Sequence, residues 1–306
     1  TMLRCVLLSL LLATASTLSS SKLSVHTGMG DKTWDVLKTG QPRLVKLLDN
    51  FSQSKAIKDT VPGITIVGRI FLPNQPQTGD PTQAANDWWS QNQHTILANP
   101  SVDFWEGYNE PGCGSLANMQ WLSSFEAARV NILAKAGLKA SIFNFGTGTP
   151  DEANQPLIQA MYPAIDAAIQ NGGILGLHEY SAPNMTAAFS GSAKSGEGWL
   201  TGRYRMLYEQ FLLPTNRTIP LVMSENGIDC GTCGVTHCSC SGGWKGAGVA
   251  PADYLEELKW YDSVMQADSY VVGSTIFSLE IPGWDSFDIA PIADDLAQYL
   301  ATPPLL

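Results

Sequence analysis

The sequence predicts a single-domain α/β protein folded as a (β/α)₈ barrel, or TIM barrel. Eight short β-rich apolar runs recur along the chain, and a helical stretch follows most of them. Strands that alternate with helices predict a parallel sheet covered on its faces, and eight such units in about 285 residues fit a closed barrel. A doubly wound open sheet is the alternative. No G-x-G-x-x-G or P-loop pattern opens a helix, so nothing indicates nucleotide binding.

The predicted strands are short apolar runs, each followed by loop residues. They are Leu23–His26, Leu44–Leu48, Ile64–Phe71, Val102–Tyr108, Ala140–Phe145, Ile174–Tyr180, Pro220–Ser224 and Tyr270–Ser278. We number them 1 to 8 in chain order. In a closed barrel their carboxyl ends all meet at one mouth.

Capping residues predict three longer helices between these strands. Ser115 is placed to cap a helix that runs to about residue 136, and a second helix opens at Pro150 and ends near residue 172. A third opens at Pro251 and ends near residue 267. The segment 33–40 is expected to be a poor helix.

The N-terminus has the pattern of a secretory signal peptide. Arg4 is followed by an apolar run from Cys5 to Ala13 and then by small and polar residues to Ser21. The run is too short to span a bilayer as a helix. We therefore expect residues 1–20 to be a signal peptide and residues 21–306 to form one secreted catalytic domain without a membrane anchor. A buried amphipathic segment is the alternative.

Composition excludes several classes of function. The formal net charge is −10 and no cluster of lysine or arginine occurs, which argues against nucleic acid or an anionic membrane as a partner. Three sequons, at Asn50, Asn184 and Asn216, are potential glycan acceptors in a eukaryotic secretory route. A monomer is expected.

Four of the cysteines crowd into one Gly/Ser-rich loop. They are Cys230, Cys233, Cys238 and Cys240. Beside His237 they would suggest a zinc site in an intracellular protein, but in a secreted chain two disulfides are the expected arrangement. Four cysteines permit three pairings, which stay open. Cys113 is left over, as a free thiol or as the partner of one loop cysteine.

Two glutamates stand where predicted strands 4 and 7 meet their loops. Glu110 ends the segment Glu106-Gly-Tyr-Asn-Glu, and Glu225 follows Leu221-Val-Met-Ser. Because active sites of these barrels lie at the carboxyl ends of the strands, the two glutamates should face each other across the mouth. Cleavage of a glycosidic bond needs such a pair, with one carboxyl group protonated and the other ionised.

Asn109-Glu110-Pro111 at the end of strand 4, together with a glutamate at the end of strand 7, resembles the glycoside hydrolases of clan A. That superfamily consists of retaining enzymes with this barrel. The resemblance covers the strand order of most of the chain but rests on a few short motifs. It implies that Glu110 is the acid/base, that Asn109 holds the sugar 2-hydroxyl and that Glu225 is the nucleophile. It implies no metal and no organic cofactor.

Further residues fit the same mouth. The period of two along strand 6 places His178 and Tyr180 on one side and Glu179 on the other. The His-x-Tyr pattern resembles the clan A pair whose tyrosine hydroxyl contacts the nucleophile, with a structural histidine as the alternative for His178. Arg69 on strand 3 is a candidate to keep Glu225 ionised, although the clan arginine usually lies on strand 2. A structural salt bridge is the alternative for Arg69.

Aromatic residues would supply the apolar half of sugar recognition, and nine tryptophans are many for this length. Trp284 follows strand 8, where clan A enzymes commonly place a platform for the sugar nearest the cut. Trp199 and Trp244 are expected to line the cleft or to pack on the surface. Trp88, Trp89 and Trp121 lie in helical stretches and are expected to be core or packing residues.

The residues therefore predict a secreted retaining O-glycoside hydrolase that cleaves β-linked polysaccharide or oligosaccharide, with β-glucan as the preferred type. The pKa of Glu110 is expected to be raised by burial and by the neighbouring carboxylate. Three alternatives remain: a catalytically inactive carbohydrate-binding barrel, a transglycosidase that uses the same glutamates, and a zinc-dependent hydrolase that uses the cysteine loop. Four other carboxylates near strand ends are fallback candidates for catalysis: Glu106, Glu280, Asp229 and Asp285.

Overall fold

A closed barrel of eight parallel strands forms the centre of the computed structural model, which describes residues 17–302. Each strand pairs with the next along the chain, and the eighth closes onto the first. The strands are Leu23–Thr27, Leu44–Leu48, Thr65–Arg69, Phe104–Glu106, Lys139–Phe145, Ile174–Ser181, Leu221–Ile228 and Val271–Leu279. The predicted (β/α)₈ fold is confirmed, and all eight predicted strands are present, with bounds that differ by a few residues.

Helices cover the outside of the barrel. The α-helices are Asp31–Gly40, Ser54–Thr60, Pro81–Ala98, Leu116–Lys135, Gln155–Ala160, Tyr162–Gln170, Tyr204–Leu207, Cys233–Thr236, Pro251–Gln266 and Ala293–Ala301. A π-helical turn spans Tyr208–Leu212, and 3₁₀ turns span Cys230–Thr232 and Ala290–Ile292. Phe189–Ser190 and Glu197–Gly198 pair as a small antiparallel hairpin outside the barrel.

Two of the predicted helices begin as expected. Ser115 caps the helix Leu116–Lys135, because its hydroxyl oxygen accepts a hydrogen bond from the amide of Asn118 at 3.2 Å. Pro251 occupies the first turn of Pro251–Gln266, where its missing N–H costs nothing.

The prediction of one continuous helix that starts at Pro150 is wrong in both its start and its continuity. Helical structure begins at Gln155, and the segment is divided into two short helices at Met161. The second helix carries Pro163 in its first turn, a position that proline tolerates, whereas the interior of one long helix would not accept it.

The segment expected to be a poor helix forms a regular one, Asp31–Gly40. Its Val36 and Leu37 are fully buried, and it packs against the last helix, Ala293–Ala301. Tertiary burial of this apolar face outweighs the weak local propensity.

A buried ion pair fixes the end of strand 4. The guanidinium of Arg129 donates to Glu126 at 2.8 Å and to the carbonyl oxygens of Trp105 and Ser141 at 2.9 and 2.5 Å. A Cβ atom at Gly107 would lie 2.7 Å from Arg129, so only glycine lets the chain pass here. The segment that leads to Glu110 therefore starts from a rigid point.

The predicted signal peptide lies mostly outside the described residues. The chain from Leu18 onward packs on the barrel, where Ser19 donates from its amide to the carbonyl oxygen of Gln41 at 2.7 Å and from its hydroxyl to that of Leu300 at 2.5 Å. Within residues 17–302, no helix is both long and apolar enough to cross a bilayer.

The cysteine loop contains two nested disulfides, Cys230–Cys240 and Cys233–Cys238. This confirms disulfides as the expected arrangement and selects one of the three pairings. The four sulfurs are therefore not available as zinc thiolates. Cys113 is buried and forms no disulfide with any described residue.

We expect fragmentation of the unreduced peptide around residues 230–240 to give these two pairings. The matched control is Cys113, which should react with an alkylating reagent only after the protein is unfolded, because burial shields its thiol. Four alkylatable loop thiols together with one bound zinc per chain would contradict the assignment.

Candidate active site

A cavity of about 170 Å³ opens at the carboxyl ends of the barrel strands. It contains most of the residues that the sequence assigned to the site. Its lining consists of Leu48, Arg69, Phe71, Asn109, Glu110, Tyr180, Glu225, Asp229, Phe277, Trp284 and Phe287. Closure of the barrel thus brings together residues from strands 2, 3, 6, 7 and 8 and from the loop after strand 4.

A β-bulge aims Glu225 into this cavity. Strand 7 does not end at Ser224 as predicted but continues to Ile228. Along strand 6, Leu177 pairs with Met223 while the next residue, His178, pairs with Glu225, so Ser224 is an extra residue. A bulge shifts the alternation of side chains, and here it turns Glu225 toward His178.

Five side chains surround the carboxylate of Glu225, including His178, whose Nδ1 lies 3.6 Å from Oε2. Its Oε1 lies 3.0 Å from Nη1 of Arg69, 3.1 Å from Nζ of Lys46 and 3.5 Å from Nδ1 of His26. Its Oε2 accepts a hydrogen bond from the hydroxyl of Tyr180 at 2.8 Å. Both oxygens are therefore held before any ligand binds.

Positive charge decides the ionisation of Glu225. Burial by itself would raise its pKa, but His178, Lys46, His26 and Arg69 together lower that pKa well below its usual range. Burial and Lys46 in turn lower the pKa of His26. The lysine and the arginine that contact the carboxylate are Lys46 and Arg69.

Lys46 is the main residue that the sequence analysis missed. It lies on strand 2, the position of the clan A arginine, while Arg69 lies on strand 3 as predicted. Its Nζ also lies 3.0 Å from Oε2 of Glu106, which is buried behind Glu225 and does not line the cavity. The available signal was a single charge inside the apolar run Leu44-Val-Lys-Leu-Leu.

Glu110 lies opposite Glu225 on a less buried segment. Strand 4 ends at Glu106, and Glu110 follows with a φ of 47°, in the left-handed region that costs a non-glycine residue energy. Its amide donates to the carbonyl oxygen of Asn144 at 3.0 Å. The side chain is 46% exposed, and its Oε1 lies 2.9 Å from Nδ1 of His178. Carboxylate oxygens of Glu110 and Glu225 approach within 4.8 Å.

The expected rise in the pKa of Glu110 is wrong for the protein without ligand. The hydrogen bond from His178 lowers this pKa and outweighs burial and the Glu225 charge, which raise it. The sequence placed His178 on the correct face of strand 6 but could not show which carboxylate it contacts.

The alternation predicted along strand 6 is confirmed. His178 and Tyr180 face the site, whereas Glu179 points outward into a buried network. There Glu179 accepts hydrogen bonds from the amides of Gly202 and Tyr204, each at 2.8 Å. Glu179 is therefore a structural residue.

Asn109 lines the cavity with its peptide held in place. Its amide donates to Oε1 of Gln75 at 2.5 Å, and Nε2 of Gln75 donates to its carbonyl oxygen at 2.9 Å. The side-chain oxygen of Asn109 is buried and has no hydrogen-bond partner among residues 17–302. This leaves an acceptor free for a ligand hydroxyl.

Exposed aromatic rings flank the cavity on two sides. Trp284 is 46% exposed and packs edge-on against Phe277 and Phe287, at centroid distances of 4.9 and 5.5 Å. Phe71, which follows strand 3, is 57% exposed and was not singled out from the sequence. The cavity thus offers an aromatic face at two rims.

The other tryptophans do not line the cavity. Trp88 is buried as predicted, and Trp244 is buried against Tyr254 with ring centroids 5.0 Å apart. Trp199 is exposed beneath the guanidinium of Arg203, 4.2 Å from its ring centroid. Surface and core packing therefore accounts for Trp199 and Trp244.

The fallback carboxylates differ in where they lie relative to the cavity. Glu280 binds the start of the helix Asp31–Gly40, where it accepts hydrogen bonds from the amides of Lys32 and Thr33, each at 3.0 Å. Asp285 is exposed outside the cavity. Only Asp229 lines the cavity beside the predicted pair.

Glu110, His178 and Glu225 also have the spacing of a metal site, since one ligand atom of each lies within 4.8 Å of the others. Lys46 and Arg69 oppose this use, because both place positive charge about 3 Å from Glu225. The arrangement therefore disfavours a bound metal cation. It favours a ligand that is neutral, or one that carries positive charge only briefly.

Comparisons with known proteins give structural matches only. No family model matches the chain, and no curated protein does. ZgEngAGH5_4 in complex with a cellotriose is 11% identical, with 90% of this chain and 88% of that chain covered and a TM-score of 0.55. One structure of two fungal β-1,4-galactanases gives 10% identity, 82% coverage of each chain and a TM-score of 0.53.

A β-glucuronidase of Ruminococcus gnavus is 12% identical, with a TM-score of 0.54, and the match covers 94% of this chain but 50% of that one. This chain has the fold of these proteins. The agreement supports the clan A resemblance at the level of the barrel, since identities of 10 to 12% show the fold alone.

We expect Glu280→Ala to destabilise the protein by about 1 to 2 kcal/mol, because the first helix loses the acceptor for its amides. Thermal unfolding followed by circular dichroism measures this. Glu209→Ala is the control, since Glu209 is exposed on the π-helical turn. Equal melting temperatures for the two variants would contradict the structural role of Glu280.

Proposed function

We propose that the protein is a secreted retaining O-glycoside hydrolase that cleaves β-linked polysaccharide or oligosaccharide by double displacement. The observation that carries the proposal is the pair Glu110 and Glu225, whose carboxylate oxygens approach within 4.8 Å across one cavity. Retaining glycosidases hold their two carboxyl groups about 5 to 5.5 Å apart, whereas inverting ones leave about 6.5 to 9.5 Å for a water molecule.

The environments of the two carboxyl groups assign their roles. Glu225 is buried, is kept ionised by Lys46 and Arg69, and is oriented by Tyr180, which suits a nucleophile. Glu110 is partly exposed and lies beside one imidazole, which suits a group that exchanges a proton with a leaving group and with water.

In the first step Glu225 attacks the anomeric carbon while Glu110 gives its proton to the departing oxygen. The carbon–oxygen bond to Glu225 forms as the glycosidic bond breaks. In the second step Glu110 takes a proton from water, whose oxygen displaces Glu225 and restores the original configuration. No metal or organic cofactor takes part in either step.

The acid role requires that ligand binding change the state of Glu110. In the free protein the hydrogen bond from His178 lowers the pKa of Glu110. A sugar in the cavity would bury Glu110 further and remove water from it, which raises the pKa of a carboxyl group. His178 then becomes the group that sets how readily Glu110 regains its proton in each cycle.

Endo action on a β-glucan is the substrate assignment that we propose first. Trp284 and Phe71 present aromatic faces at two rims of an open cavity, and the apolar faces of successive β-linked glucose rings stack on such surfaces. A structurally similar protein has been solved with cellotriose. The two disulfides support secretion, because they persist in oxidising compartments.

We expect Glu225→Gln to lower the hydrolysis of a cell-wall polysaccharide panel by at least about 10³-fold, since the nucleophile is removed. A 2-fluoro glycoside should transfer its 2-fluoroglycosyl group to Glu225 of the wild type, with loss of its leaving group, and leave the variant unlabelled. Glu209→Gln is the control, because Glu209 is an exposed glutamate far from the cavity lining. Labelling of another residue, or full activity of Glu225→Gln, would overturn the assignment.

We expect Lys46→Met to move the acidic limb of the kcat/KM profile to higher pH, by about one unit. Lys46 lowers the pKa of Glu225, so its removal raises that pKa, and the nucleophile then becomes ionised only at higher pH. Lys55→Met is the control, since Lys55 is 79% exposed and pairs with Asp59 at the surface. An unmoved acidic limb in a folded Lys46→Met protein would refute this role.

A further inference from the structure

One carboxyl group in the cavity is not used by the proposed reaction. Asp229 follows strand 7 and lines the cavity with Glu110 and Trp284. Its Oδ1 accepts a hydrogen bond from the amide of Gly231 at 2.8 Å. Its Oδ2 accepts none from the part of the chain that the structure describes, and this leaves a free acceptor on a residue that lines the cavity.

The backbone on both sides of Asp229 is fixed. Its amide donates to the carbonyl oxygen of Ser181 at 3.0 Å, and it forms a β-bridge with Gly243. The next residue, Cys230, is held by its disulfide to Cys240 and by a hydrogen bond from its amide to Gly242 at 2.8 Å. The carboxyl group is therefore placed in advance, which lowers the cost of binding a ligand.

The cysteine loop also supports Trp284. The indole N–H of Trp244 donates to the carbonyl oxygen of Phe287 at 3.1 Å, and the amide of Gly243 donates to the hydroxyl of Ser286 at 3.2 Å. The Lys245 ammonium donates to the carbonyl oxygen of Asp285 at 2.8 Å. Asp229 and Trp284 thus belong to one wall, built from the loops after strands 7 and 8.

Charge in the cavity disfavours anionic ligands. Of the three carboxyl groups that line it, Glu225 is paired with Arg69 and Lys46, whereas Glu110 and Asp229 have no lysine or arginine partner among residues 17–302. Arg69 is engaged with Glu225, so it is not a free partner for another anion. Burial and the Glu110 charge raise the pKa of Asp229, as expected for carboxyl groups that share a small space.

We propose that Asp229 is a specificity-determining residue that accepts hydrogen bonds from hydroxyl groups of a neutral sugar and excludes uronic acids from the ring position against Trp284. This rests on the proposed glycosidase function and narrows its substrate class. A neutral sugar presents hydroxyl donors to Oδ2, whereas the carboxylate of a uronic acid would lie among like charges. Selectivity follows from attraction to one ligand and repulsion of the other.

The test uses 2,4-dinitrophenyl β-D-glucoside and 2,4-dinitrophenyl β-D-glucuronide, which differ only at carbon 6. We expect the wild type to prefer the glucoside by at least about 100-fold in kcat/KM. Asp229→Asn keeps a side chain that can cap the 3₁₀ turn but removes the charge. It should lower kcat/KM for the glucoside by about 10- to 100-fold and reduce the preference for the glucoside at least tenfold.

Asp285→Asn is the matched control, because it removes the same charge from the same wall outside the cavity, and it should leave the preference unchanged. A preference that is equal in Asp229→Asn and wild type would overturn the proposal, as would a wild type that prefers the glucuronide. Circular dichroism of each variant shows whether it is folded.

Failure of the proposed function has a different signature. In that case the wild type releases no dinitrophenol from either glycoside and no sugar from the polysaccharide panel. Calorimetric titration with cellotriose, a neutral ligand, then decides the inference separately. Binding by wild type and Asp285→Asn that weakens at least tenfold in Asp229→Asn supports it, and no binding, or equal binding by all three, refutes it.

Discussion

The site depends on a buried carboxylate that is neutralised by cations from two adjacent strands. Removing Glu225 from water costs several kcal/mol unless opposite charge lies in contact with it. Lys46 on strand 2 and Arg69 on strand 3 both contact Oε1, and Glu106 pairs with Lys46 as well, so that two cations face two buried carboxylates. This cluster can exist only where the barrel closes, because strands 2, 3, 4 and 7 reach one point from far apart in the sequence.

The same cluster makes the two glutamates unequal. Glu225 has its charge fixed by its surroundings, whereas Glu110 lies half exposed on a strained turn beside His178. A group whose protonation changes during each turnover needs access to water or to the ligand, whereas a nucleophile needs to be shielded from water. One barrel mouth supplies both environments because its floor is buried and its rim is open.

The rim is built by a different means from the floor. Two disulfides close the loop after strand 7, and hydrogen bonds from Gly243, Trp244 and Lys245 join it to the loop after strand 8. The disulfides add a covalent constraint to the buried side chains of the two loops, Trp244 and Phe287 among them. The cavity-lining residues Asp229 and Trp284 belong to these two joined loops.

The sequence by itself determined the barrel, the two glutamates and the inward face of strand 6, because alternation and strand–helix rhythm are local properties of the chain. Tertiary structure decided which side chains contact these glutamates. Lys46 contacts Glu225 although 179 residues separate them in the sequence, and the extra residue Ser224 turns that glutamate inward. His178 lowers the pKa of Glu110, which the sequence had predicted to be raised. Disulfide pairing was likewise open until the loop geometry was known. These features depend on distances between segments remote in sequence, which only closure of the barrel sets.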